Sequence, residues 1–158
     1  MANGMIGNHP SHNSQVVHNL DTVVTGNVQL GRNDSGKVFM CSQAAAVIVN
    51  LPKLSTDIAG WNAKFILKTA GSNDFTIFAW GLSAAGTGDS GVTNDGDTLI
   101  VKNIAATDSG GATVSSKDGV FFDASVATVG DSLDVFTDGT NWYVTSSVED
   151  AAHTLEID

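Results

Sequence analysis

Arginine occurs once in the 158 residues, at Arg32, and cysteine once, at Cys41. Charged residues make up only 15% of the chain, and 7 bases face 17 acids for a net charge of −10. A nucleic-acid groove needs clustered Lys and Arg to displace counterions from phosphates. One arginine and scattered lysines exclude that partner class. A lone cysteine excludes an intrachain disulfide, and its setting in Val38-Phe39-Met40-Cys41 reads as a small buried thiol. The scarcity of Glu and Lys disfavours a helical bundle, whose wet faces usually carry them. No apolar run approaches the roughly 20 residues that span a bilayer. The opening Met1-Ala2-Asn3-Gly4-Met5-Ile6-Gly7-Asn8 has neither the basic nor the apolar segment of a secretory signal. The expectation is a protein without a membrane partner, made and folded in a reducing cytoplasm. The acid excess suits docking on a basic surface, but a solvated, soluble exterior is the simpler reading.

What the chain does have is Gly, Ser, Thr, Asn, Asp, Ala and Val, with Val, Thr, Ile and Phe set between turn residues. That pattern predicts many short strands. It is clearest over residues 130–146. Leu133 and Val135 alternate with Ser132 and Asp134, Asp138-Gly139 reverses the chain, and Trp142 and Val144 resume the alternation. These four apolar residues are the predicted core of a β-hairpin, with Trp142 placed to cover the open end of the core.

Three segments are expected: a polar, aperiodic arm over 1–14, a β-domain over 15–147 and an acidic tail over 148–158. Within the β-domain, strand-like segments fall between 15 and 30, over 37–42 and over 47–51. A short turn precedes Gly60-Trp61. A second hairpin is expected from 64–69 and 74–80 around Ala70-Gly71-Ser72-Asn73, with Phe65, Leu67, Phe75 and Ile77 inward. Further strands are expected over 97–104 and 120–122, separated by Gly/Ser/Thr-rich loops at 81–96 and 105–117. No repeat of fixed period is visible. The predicted fold is all-β: an antiparallel β-sandwich or barrel of about ten short strands with long loops and an extended N-terminal arm. One domain of this length buries about 70% of its unfolded surface.

Reactive constellations are weak. His9, His12 and His18 bring imidazoles near one another, but no further ligand lies at metal spacing, so solvated histidines are the better reading. Asp108-Ser109-Gly110-Gly111 and Ala151-Ala152-His153 look superficially like trypsin-like protease segments. The Ser–His order is reversed, Thr107 stands where that family has Gly, and the chain is too short for two barrels. Asn94-Asp95-Gly96-Asp97 offers carboxylates to Ca²⁺ but lacks a bidentate Glu, and reads as a turn. Trp61, Trp80 and Trp142 suit sugar stacking or, more commonly, core packing. No catalytic residue, cofactor or metal is expected.

Two stretches together carry a family resemblance. One runs from Leu51-Pro52 through Gly60-Trp61 into Lys64-Phe65-Ile66-Leu67-Lys68-Thr69 and Asp74-Phe75-Thr76-Ile77. The other runs from Gly130-Asp131-Ser132-Leu133 into Thr137-Asp138-Gly139-Thr140-Asn141-Trp142-Tyr143-Val144. Their order resembles the β-rich structural modules of tailed-bacteriophage virions, most closely the capsid decoration (cement) proteins. The resemblance covers residues 47–147 and brings no catalytic residue with it. It implies a homotrimer on the outside of the capsid, bound to the major capsid protein and bracing the shell against packaged DNA. By the same resemblance the arm lies on the shell, with Met5, Ile6, His9 and His12 as contact residues. A tail-fibre or tail-tip module that binds a receptor or carbohydrate is the alternative within the same virion class.

Overall fold

A computed structural model of the chain describes residues 17–19, 26–79, 99–105, 113–117, 119–148 and 154–157. Its strands are β1 (Val17–Asn19), β2 (Gly26–Gln29), β3 (Lys37–Ser42), β4 (Val47–Asn50), β5 (Asn62–Thr69), β6 (Phe75–Phe78), β7 (Leu99–Ala105), β8 (Thr113–Lys117), β9 (Gly119–Phe122), β10 (Ser132–Thr137), β11 (Trp142–Val148) and β12 (Thr154–Ile157). Among the described residues the helical pieces are single 3-10 turns at Arg32–Asp34 and Thr56–Ile58. The fold is all-β, as the composition predicts.

The strands form a seven-stranded sheet, β1-β3-β5-β10-β11-β7-β8, and a five-stranded sheet, β12-β9-β6-β4-β2. Both are mixed and neither is closed. This corrects the antiparallel expectation: β1–β3, β3–β5, β2–β4, β4–β6 and β7–β11 are parallel. The reason is the route of the chain. From β1 to β6, successive strands alternate between the two sheets. Parallel neighbours need a long crossover. Here a strand of the opposite sheet supplies it, so β4 carries the chain from β3 to β5.

The same route removes one predicted hairpin. β5 and β6 lie in different sheets and form an arch across the core. The inward residues are nonetheless as expected: Phe65, Leu67, Phe75 and Ile77 are fully buried. A hairpin laid on a core and an arch enclosing one show the same alternating burial, so periodicity cannot separate them. The loop expected over 105–117 also contains a strand, β8, paired with β7. The hairpin over 130–146 forms as predicted, with β10 antiparallel to β11 and Thr137 opposite Trp142. Gly139 takes a positive φ of 92° in its turn, a conformation open to glycine at little cost.

The core lies between the sheets. A line of rings crosses it: Phe39 stacks on Phe65 at 5.1 Å, Phe65 meets Phe75 at 6.5 Å, and Phe75 meets Phe122 at 6.2 Å. The first two rings belong to the larger sheet and the last two to the smaller. Elsewhere in the core Trp61 and Trp142 meet edge to face at 5.2 Å. Such contacts contribute about 0.5–1.5 kcal/mol each beyond area burial. Trp142 is fully buried and packs within the core. Its Nε1 has no acceptor among the described residues.

Polar side chains hold the arches in step. Gln43, fully buried between β3 and β4, donates from Nε2 to the Phe122 carbonyl at 2.9 Å and accepts from the Gly71 amide at 3.1 Å. Its backbone amide donates to Thr69 O at 2.9 Å. A Cβ on Gly71 would sit 2.4 Å from Gln43 O, so only glycine fits this crossing. At the other turns, Gln29 donates to the carbonyls of Leu30 and Leu51, and Trp61 Nε1 donates to Gly31 O at 3.0 Å.

Candidate functional site

Because Leu133 and Val135 point into the core, Phe136 must point out of the larger sheet. It is 46% exposed. Directly opposite on β11 stands Tyr143, and the rings stack at 5.0 Å with planes 15° apart. The register places Asn62 on one flank of this pair and Ile100 on the other. The next row across the same outer face reads Val38, Lys64, Asp134 and Thr145, with Lys102 at the register position of Thr145 on β7. Lys64 Nζ lies 3.0 Å from Asp134 Oδ2. Partly exposed, that pair adds at most about 1 kcal/mol.

The hairpin turn fixes Tyr143. Asp138 Oδ1 accepts from the Thr140 and Asn141 amides at 2.8 Å each, and Oδ2 accepts from the Tyr143 hydroxyl at 2.9 Å. Those hydrogen bonds, the Asn141 amide foremost, hold the Asp138 carboxyl below the usual carboxylate range. The bond to Asp138 in turn raises the Tyr143 phenol above its ordinary value. The outer face therefore presents an ordered aromatic pair beside a mixed-charge row. Such a surface suits protein contact, because ordered aromatics bury much area at little entropic cost.

A second feature is an open cleft of about 200 Å³ bordered by Arg32, Ser35, Asp57 and Trp61. Arg32 and Asp57 bridge it at 2.7 Å with both side chains mostly exposed. Trp61 offers little of its ring there, being 3% exposed.

No family model, curated protein or solved structure matches the chain.

Leu133, Val135, Trp142 and Val144 all lie in the core between the sheets. Cys41 is buried as expected, and burial pushes its thiol pKa up. Met5, Ile6, His9 and His12 lie outside the described residues, as do Trp80, loop 81–96, the Asn94–Asp97 turn, Ser109 and His153. His18 sits in β1 at the register position of Phe39. Of the acidic tail, β12 pairs antiparallel with β9 of the same chain. Sequence reasoning did not single out Phe136, Tyr143 or Gln43. The signal for Phe136 was present: an aromatic out of phase with the inward residues of its own strand.

Proposed function

We propose that the chain is a structural protein of a tailed-bacteriophage virion, a decoration protein that binds the outside of the capsid as a homotrimer. The observation that supports this reading is the pairing of β5 with β10. It joins the two stretches that carry the resemblance, one from each half of the chain, side by side in one sheet over one core. A module of this kind acts mechanically. Its strands hold a fixed surface, the 1–14 arm extends to the major capsid protein, and each trimer bridges neighbouring shell subunits. Many small contacts then sum to resist the outward pressure of packaged DNA. The role calls for no catalytic residue or cofactor, and its place is the virion exterior after synthesis in the host cytoplasm.

The alternative, a tail module binding receptor or carbohydrate, calls for exposed indoles. Trp61 and Trp142 are both buried, so neither supplies one. The test is co-sedimentation with purified capsids of the cognate phage. The full chain is expected to saturate the shell, and deletion of residues 1–14 to weaken occupancy while leaving the melting temperature unchanged. Failure of the full chain to bind capsids, together with binding to cells or glycans, would move the assignment to the tail.

A further inference from the structure

We propose that Asp138-Gly139 is a latent modification site, an isoaspartate-forming peptide that the folded turn keeps unreactive and that unfolding releases. This goes beyond the role proposed above and does not depend on it.

The chemistry belongs to the dipeptide. The Gly139 amide nitrogen attacks Asp138 Cγ. A C–N bond forms, the carboxyl C–O bond breaks, and the amide proton leaves with the hydroxyl as water. Water then opens the cyclic imide. Opening at the Asp138 backbone carbonyl leaves isoaspartate, whose main chain runs through Cβ and Cγ. Glycine offers the attacking nitrogen no side-chain hindrance. The sequence holds Asp-Gly at Asp95-Gly96, Asp118-Gly119 and Asp138-Gly139. The last of these stands in the turn between β10 and β11.

The folded turn holds the two reacting groups apart. Asp138 Oδ1 accepts from the Thr140 and Asn141 amides, and Oδ2 from the Tyr143 hydroxyl. These bonds aim the carboxyl forward along the chain. They also favour the carboxylate, the form with the poorer leaving group. The Gly139 amide points the other way and donates to Thr137 Oγ1 at 2.8 Å. Cγ reaches the nitrogen only after these bonds are given up.

The product does not fit the turn either. Isoaspartate adds a carbon to the main chain between Asp138 Cα and Gly139 N. Its carboxylate sits directly on Cα, too short to span the same three donors. Gly139 has no room to shift towards its neighbour: a Cβ on it would lie 2.9 Å from Ser55 O and 3.2 Å from Thr56 Cα. Thr137 is anchored as well. Gly60 N donates to Thr137 O at 2.8 Å, and Thr137 N donates to Trp61 O at 3.0 Å. Modification therefore belongs to the unfolded chain and then opposes refolding, one route by which unfolding becomes irreversible.

The test follows isoaspartate at position 138 of the purified full chain, by peptide mapping after incubation in heavy-oxygen water at mildly acidic pH. The wild type is incubated folded and in urea. Tyr143→Phe and Thr137→Val are incubated folded, each well below its melting temperature. Asp95 and Asp118 in urea report the reactivity of the same dipeptide in an open chain. Folding is expected to slow the reaction at 138 by at least about tenfold, because local opening must precede it. Tyr143→Phe is expected to speed the folded-state reaction about fivefold, the effect of one hydrogen bond. Thr137→Val should speed it too, by freeing the Gly139 amide. If Thr137→Val does not fold, Tyr143→Phe decides the matter. After modification in urea, the refolded fraction is expected to be depleted in isoaspartate at 138. Equal rates at 138 in the folded chain and in urea, or an unchanged rate in Tyr143→Phe, would overturn the proposal. So would refolded chains that carry isoaspartate at 138 in full proportion.

Discussion

Tyr143 is the only tyrosine in the chain, so ultraviolet titration of the phenol reads one residue on the outer face. Its hydroxyl donates to Asp138. That bond favours the neutral phenol, and its titration midpoint is expected above the ordinary tyrosine value. Asp138→Asn removes the charged acceptor and should bring the midpoint down towards ordinary. An unchanged midpoint in that variant would mean that the bond does not persist in solution. The two groups also set opposite pH limits on the turn. Asp138 is depressed, so its contribution is present above the unfolded carboxylate range and is lost as pH falls through the lower folded value. Tyr143 is raised, so its contribution is present below the ordinary phenol value and is lost as pH climbs through the higher folded one. At this scale the sequence was most legible where alternation met a turn. Leu133, Val135, Trp142 and Val144 could be placed inward because Asp138-Gly139 set the phase of both strands. The partnership of Phe136 with Tyr143 went unread although the same phase sets it, since both fall one residue out of step with the core.

Among the elements, the arches were the part the sequence concealed. β5 and β6 carry the expected inward residues Phe65, Leu67, Phe75 and Ile77, yet none of β3, β4, β5 and β6 pairs with its successor in the chain. Pairing depends on which backbone lies alongside, and side-chain alternation does not report that. Gln43 is the residue that distinguishes the arrangement. A polar side chain with no exposure ties the β3–β4 turn to the β5–β6 turn and to β9 through Gly71 and Phe122. Its role depends on contacts across 28 and 79 residues of chain, beyond the reach of any local pattern. Gln43→Leu keeps the bulk but leaves the Phe122 carbonyl and the Gly71 amide without these partners. The expected loss is about 1–3 kcal/mol, the usual cost of stranding buried polar groups. Chemical denaturation measures it. A loss below about 0.5 kcal/mol would show that the turns hold together without the glutamine. Hydrogen exchange should localise the loosening to the amides of 43–46 and 70–74, with the hairpin of β10 and β11 protected as before.

For the whole molecule, the alternating route predicts how the chain folds. Pairing β3 with β5 closes a loop of residues 43–61, which cross to the smaller sheet and return. Pairing β2 with β4 likewise closes a loop that contains β3. Each parallel pair therefore closes a long loop before its hydrogen bonds repay the entropy. Folding dominated by such non-local pairing is slow, on the order of milliseconds to seconds. Stopped-flow refolding followed by tryptophan fluorescence gives a direct reading, because Trp61 and Trp142 touch only when β5 and the β10–β11 hairpin are joined. The expected result is one dominant phase in that range, with the fluorescence change and strand formation by circular dichroism proceeding together. A main phase complete within microseconds, or indole burial well ahead of strand formation, would contradict an obligate cross-sheet route. Phe65 sharpens the measurement, since its ring bridges Phe39 in the larger sheet and Phe75 in the smaller. If the sheets must meet in the rate-limiting step, Phe65→Leu slows refolding. If they meet afterwards, the substitution leaves refolding unchanged and speeds unfolding instead.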